Sequence, residues 1–184
     1  EIQQAKVRVA NTILENNAGG TGGQAPPERF GRGSNDAAAI FVRGAQPVIV
    51  GNIIRNTAAS LQGERAAAIN INVNALNHHF VADYGRSTGF LDRVVGFTGN
   101  QGPLLRGNQL DDNDLNGLVV RGATLTTQSV WDDTDIPHIV FEEIVVPDFH
   151  SFGGLRLESS STESLVIRLQ NQDPDGLDEM VPDY

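Results

Sequence analysis

The chain has 184 residues with 13 basic against 23 acidic side chains, a formal net charge of −10 and a pI near 4.7. That length suits one domain with a sizeable core, and that charge argues against general affinity for nucleic acid or anionic lipid, which requires clustered Lys and Arg. With no Cys, the chain forms neither disulfides nor a thiolate metal site. No apolar run approaches the roughly 20 residues of a membrane-spanning helix, and no signal-peptide apolar segment precedes the first strand, so no membrane insertion is expected. Twenty Gly with a single Met and a single Trp give a turn-rich, helix-poor character.

In chain order, residues 6–16 (KVRVANTILEN) alternate apolar and polar and predict a strand, then a unit Asn11, Ile13, Asn16. Opening on Glu1 and entering strand-like sequence almost at once, the chain looks like a processed piece of a longer polypeptide. Residues 17–36, with GGTGG, PP and GRGSND, read as a surface loop. Next comes AIFVRGAQPVIVGNIIRN at 39–56, whose parts return in the same order. AIFVRGA recurs as GLVVRGA at 117–123, and PVIVGNII at 47–54 recurs as PLLRGNQL at 103–110. After a shorter loop at 57–65, AAAININV at 66–73 repeats the first strand, and its strict alternation predicts one buried and one exposed face. Residues 75–102 form the largest interruption, containing a helical turn or a short hairpin. Strands are then expected at 118–121, 124–131, 138–141, 144–146, 154–158 and 165–169, with turns between them, and an acidic tail at 171–184.

Aligned first strands give testable columns. Ile40, Ile69, Leu118 and Leu155 form one inward column, and Val42, Ile71, Val120 and Leu157 a second. Phe41, Asn70, Val119 and Arg156 face outward with Arg43, Asn72, Arg121 and Glu158. Stacked in parallel at about 4.8 Å, the inward columns make aliphatic ladders. Asn at the corners turns the chain and stacks on the Asn of the next copy. In this alignment Arg8 takes the place of Ile49 and Leu105.

The Pro-x-(Ile/Leu)-x-Gly-Asn-x-(Ile/Leu) units at 47–54 and 103–110, with first strands such as AIFVRG, resemble the right-handed parallel β-helix repeats of bacterial exported proteins, the pectate-lyase-like superfamily. The resemblance spans roughly residues 5 to 170 and implies an all-β, right-handed parallel β-helix solenoid with long loop insertions over residues 1–170, followed by the tail or linker at 171–184. It also implies an extracellular or cell-surface, bacterial setting. One scaffold of this kind hosts many activities. The expected role is a non-catalytic structural, adhesive or glycan-contacting module of a larger protein, with polysaccharide or neighbouring modules as partners. End-to-end self-association is a further possibility, since an open stack leaves strand edges unpaired. The alternative is a polysaccharide lyase or glycoside hydrolase working on the outward strand face.

Sugar-cleaving members work with outward carboxylates, or with Asp-bound Ca²⁺ and an Arg base. The outward columns here offer Arg43, Arg121, Arg156 and Glu158 without clustered Asp, and no Gly-His-Gly or Arg-Ile-Lys follows Asp132 and Asp133. No catalytic residue is assigned. Candidate glycan contacts are His79, Tyr84 and Arg86 in the long interruption, Trp131, Asp132 and Asp133 in the acidic turn, and Arg43 and Arg121 on the outward face; loops on rigid scaffolds often carry binding. No cofactor is required, and Ca²⁺ is the candidate ion at Asp173, Asp175 and Asp178, a run that resembles the Asp-rich repeats linking modules of bacterial surface proteins. Asp112-x-Asp114-x-Asn116-Gly117 matches the opening of a calcium loop but has Ala123 where the bidentate Glu belongs, which favours a polar corner. His78 and His79 with Asp83 could supply zinc ligands, but adjacent His on a strand point to opposite faces. Ser129, His138 and Asp133 contain the atoms of a triad without a nucleophile elbow.

Overall fold

The computed structural model describes residues 6–18, 37–59, 65–85, 93, 99–147 and 154–170. Arg86, the candidate calcium ligands Asp173, Asp175 and Asp178, the tail at 171–184 and most of the two early loops lie outside the described residues. The strands are β1 (Arg8–Ala10), β2 (Ile13–Glu15), β3 (Ala38–Val42), β4 (Val48–Val50), β5 (Ile53–Arg55), β6 (Ala67–Asn72), β7 (Leu104–Arg106), β8 (Gln109–Asp111), β9 (Leu115–Arg121), β10 (Gln128–Trp131), β11 (His138–Val140), β12 (Gly154–Leu157) and β13 (Ile167–Leu169). A single 3₁₀ turn at Val73–Ala75 opens the long interruption, and among the described residues there is no α-helix. None of the described helical segments is long and apolar enough to cross a membrane.

Every pairing between these strands is parallel. Four small sheets result, ordered β13-β11-β9-β6-β3, β1-β4-β7, β2-β5-β8 and β10-β12. The repeated sequence explains the order. β3, β4 and β5 each enter a different sheet, and β6, β7 and β8 then lie beside them in turn. Sequence copies thus become sheet neighbours, so the same side-chain chemistry meets itself across each pair.

The inward columns hold through three strands: Ile40, Ile69 and Leu118 align, as do Val42, Ile71 and Val120. These side chains belong to one buried cluster, each contributing roughly 1.5–3 kcal/mol by burial. The fourth place differs from expectation. His138 follows Leu118, and Ile167 follows His138, whereas Leu155 and Leu157 pair with Ser129 and Trp131 in another sheet. Alternation with period two reports which face a residue occupies but not which sheet its strand joins.

The outward face also departs from the expected pattern. Phe41 and Val119 are buried and Asn70 is only 1% exposed, and Val119 packs with Ala67, Leu115 and Ile139 in a second cluster. Over β3, β6 and β9 this sheet is therefore covered on both faces, as parallel sheets commonly are. Close packing extends to Gly117, where a Cβ would come within 2.7 Å of the Pro137 carbonyl oxygen.

At the corners, Asn11, Gly51 and Gly107 share φ values of 53°, 63° and 65°, and Asn16, Asn56 and Asp112 share 56°, 54° and 48°. Both columns sit in the left-handed region, which Gly and Asn adopt at least strain. The first copy lies one residue from the register expected of it. Val9 pairs with Ile49 and Arg8 with Val48, so Asn11 matches Gly51 while Thr12 precedes the strand as Asn52 and Asn108 do. Asn52 does stack on Asn108: its Nδ2 donates to Asn108 Oδ1 at 3.0 Å and to the Val9 carbonyl at 2.9 Å. Asn108 Nδ2 in turn donates to the Ile49 carbonyl at 2.8 Å. These buried and half-buried amides thereby close the backbone groups left open where the strands turn.

Candidate functional site

The acidic turn begins where β10 ends. In a parallel sheet alternate residues point their backbone N–H and C=O to opposite neighbours. Leu104 N donates to the Pro47 carbonyl on the β4 side, which leaves Leu105 and Gly107 facing the outer edge of β7. Among the described residues no fourth strand covers that edge. Instead Asp133 Oδ1 accepts from Leu105 N at 3.3 Å and Asp135 Oδ2 accepts from Gly107 N at 2.7 Å. Two carboxylates spaced two residues apart meet two amides spaced two residues apart, so side chains stand where strand carbonyls would. Asp132 Oδ2 accepts from Gln101 N at 2.9 Å and continues the same seam.

Arg106 holds the turn from outside. Its Nη1 donates to Thr134 Oγ1 at 3.0 Å and to Glu163 Oε2 at 2.9 Å, and the Thr134 hydroxyl donates to the same Glu163 oxygen at 2.6 Å. Hydrogen bonds from Thr134 and Arg106 hold the exposed Glu163 carboxyl below its ordinary range. Burial pushes Asp132 and Asp135 upward, opposed by the Gln101 and Gly107 amides respectively and by Arg106. Asp133 is raised furthest, by burial first and by the neighbouring Asp132 charge second. The geometry suits a sheet cap. A carboxyl with no solvent exposure cannot reach the glycosidic oxygen of a bound chain.

Trp131 is 2% exposed. Its ring stacks on His138 at 5.1 Å and 10°, and its Nε1 donates to Ser129 Oγ at 3.0 Å, which itself donates to the Leu76 carbonyl at 2.6 Å. Trp131 and Asp133 are therefore interior residues, removed from the surface that a glycan could touch. Neither His138 nitrogen meets hydrogen-bond geometry. Burial pulls its pKa from 6.5 to about 4, with the nearby Ile136 carbonyl opposing. Ser129 and His138 are thus occupied with the core and form no triad.

The long interruption is hung beside the acidic turn. Gly102 N donates to the His79 carbonyl at 2.8 Å and Val81 N to the Asn100 carbonyl at 3.1 Å, and Phe80 bridges Gln101 in antiparallel sense. Since Gln101 also bonds Asp132, the segment 100–102 brings His79, Phe80 and Asp132 together. The His78 and His79 rings stack at 5.0 Å and do not point to opposite faces, because the chain here is irregular and not a strand. Asp83 is engaged by Arg8 at 2.8 and 3.0 Å, leaving the neighbouring Tyr84 74% exposed. Arg43 and Arg121 belong elsewhere, flanking the Phe41 ring at 5.8 and 5.7 Å, a distance at which a cation is attracted to a ring face.

The calcium-loop-like stretch is a polar corner. Asp114 Oδ2 accepts from Ala59 N and Ala66 N at 2.8 and 3.0 Å, and Asn116 Oδ1 accepts from Asn113 Nδ2 at 2.7 Å. Among the described residues no group of three or more His, Asp or Glu is arranged to hold a metal. Sequence reasoning missed Asp135, Arg106, Thr134 and Glu163. The Asp133-x-Asp135 spacing was a usable signal, since period two matches a strand edge, while nothing local links Arg106 to Glu163. Searches against protein-family models, curated proteins and solved structures each found no match.

Proposed function

We propose that the chain is a non-catalytic parallel β-helix module of a larger bacterial extracellular or cell-surface protein, serving as a stiff spacer that presents loops for adhesion or glycan contact. The observation that carries this reading is the visiting order: β1 to β9 enter three sheets in turn and return in register, and β10 to β13 alternate between two, as a winding of short strands would require; its right hand is taken from the general rule for parallel crossovers. The presented surface is the segment carrying His79, Phe80 and Tyr84, aromatic and imidazole rings held on a rigid frame beside Asp132. Rings of this kind stack on sugar faces, and the pinned backbone keeps the ordering penalty of binding small.

Binding to a panel of acidic and neutral polysaccharides, read by calorimetry, tests the glycan part. Tyr84→Ala and His79→Ala should each weaken any binding found, while Trp131 substitutions should act only through stability. Absence of binding across the panel, or binding indifferent to both loop variants, would remove it and leave the spacer role. A lyase or hydrolase remains the second reading on one observation. Glu158 N donates to the Trp131 carbonyl, which sets Glu158 beside Asp132 across the strand pair, and their charges interact. Turnover of any polysaccharide, lost in Asp132→Asn, would favour it.

A further inference from the structure

His138 is a polar ring set in an apolar column. It takes the rung between Leu118 and Ile167, it is fully buried, and neither ring nitrogen meets hydrogen-bond geometry. The ring stacks on Trp131 of β10, so the stack joins the sheet that holds β11 to the sheet that holds β10. The chain around it is anchored at two points. Before it, Asp135 accepts from Gly107 N. After it, Val145 N donates to the Ala123 carbonyl, and the Val145 carbonyl accepts from Leu125 N. β10 has its own tether, from Val130 N to the Leu76 carbonyl. Residues 136–144 can therefore move without disturbing either anchor, and β13 rests on them through the bond from His138 N to the Val166 carbonyl.

We propose that the Trp131–His138 stack is an acid-released latch: a proton on His138 frees residues 136–144, and β13 with them, while the windings of β1 to β9 stay closed. In the closed form an imidazolium would be a buried charge with no acceptor in place. Burial accordingly pulls the ring's pKa from 6.5 to about 4, with only the Ile136 carbonyl opposing. The charged groups of the surrounding elements are turned away or engaged. β10 carries none. Arg121 on β9 and Arg168 on β13 lie on the opposite face of the pleat from Leu118 and Ile167. Asp132, Asp133 and Asp135 meet the Gln101, Leu105 and Gly107 amides. Glu142 and Glu143, on the segment itself, are exposed, and Glu142 accepts from Gly122 N. Glu163 is held by Arg106 and Thr134, and Glu158 pairs with Arg156. Once released, the ring titrates at its ordinary 6.5, so the closed state is fully favoured above that pH and loses its advantage as the pH falls towards 4. Burial of Asp133 acts in the other direction, so the cap on β7 holds while the latch lets go.

The latch does not depend on the glycan reading, so either can fail alone. Hydrogen exchange of the full chain, followed by NMR at pH 7 and pH 4.5 and corrected for the intrinsic pH dependence of exchange, reads the opening. Two kinds of proton report on it: the indole N–H of Trp131, the only Trp in the chain, and the amides of Leu118 and Val120, which face β11. Each should open about fiftyfold more often at pH 4.5, the ratio set by titration at 6.5 when open against about 4 when closed. Leu105, Gly107 and the β6 amides of Ile69 and Ile71 should keep their protection. His138→Leu should remove the pH dependence at Trp131 and Leu118. Ser129→Ala keeps His138 but takes away the acceptor of the indole, while the Leu76 carbonyl retains the Val130 amide. It should raise opening at both pH values by about five- to tenfold with the acid ratio intact, a second test should the Leu variant not fold. Equal protection at the two pH values, a loss shared by Leu105 and Ile69, acid sensitivity that survives His138→Leu, or opening indifferent to Ser129→Ala would each overturn the latch.

Discussion

The outer edge of β7 and the outer edge of β13 present the same problem, since among the described residues neither has a further strand beside it, and they meet it in opposite ways. At β7 the chain folds an acidic turn against the strand, so that Asp133 and Asp135 accept from Leu105 and Gly107. At β13 the backbone groups of Ile167 and Leu169 face outward beside exposed Leu169. The difference teaches that edge termination here is a property of particular side chains and not of the strand pairing itself. A capped edge ends growth of a sheet; an uncapped one invites a further strand.

Protonation should pull the two regions apart, and this is the largest effect expected. His138, on the strand beside β13, has its pKa lowered from 6.5 to about 4. Between those values the unfolded chain binds the proton and the folded chain does not. Stability is therefore complete above pH 6.5 and falls by about 3 kcal/mol as pH drops to 4. Asp133 behaves inversely. Its folded pKa is raised well above 3.8, by burial first, so acidification favours the folded state at this group by removing a buried charge, while the charged form is the better acceptor for the Leu105 amide. In chemical denaturation across this range, His138→Leu, which completes the aliphatic column, should gain stability relative to the native chain as the pH falls, by about 3 kcal/mol at pH 4.

Asp133→Ala comes next. It leaves the Leu105 amide without its acceptor in a buried site, which should destabilise the chain by about 2 kcal/mol and give β7 the character of an open edge, seen as added self-association. Asp133→Asn sharpens the point, because the amide oxygen still accepts from Leu105. It should alter stability by less than about 1 kcal/mol and flatten the acid-strengthening limb. Smallest is Leu169→Ser, at a side chain that is 80% exposed, which should shift stability by no more than about 0.5 kcal/mol in chemical denaturation.

Much of this frame was legible in the sequence. β-branched alternation in AAIFV and AAININ marked the strands, and the matched Pro-x-(Ile/Leu)-x-Gly-Asn units marked which would be neighbours. What escaped did so for physical reasons. Asn serves two purposes here, occupying left-handed corners at Asn11 and stacking in buried ladders at Asn52, so matching Asn to Asn shifted the first copy by one residue. His138 does not look like an aliphatic ladder member, and Gly154-Leu-Arg-Leu157 imitates one, so Leu155 took its place in the alignment. The acidic turn read as a surface loop because carboxylates seldom face inward; only the edge of β7, 28 residues away from its cap, makes burial of Asp133 intelligible. His79 and Tyr84 lie in the long interruption, whose attachment through Gln101 to Asp132 depends on tertiary contacts that the sequence does not display.

Amide hydrogen exchange resolved by residue tests the contrast between edges most directly. At concentrations where the chain is monomeric, Leu105 and Gly107 should be protected nearly as well as amides inside the sheets, and Ile167 and Leu169 should exchange as exposed backbone does. Equal protection at the two edges, or faster exchange at Leu105 and Gly107, would contradict the assignment of one edge as capped and the other as open.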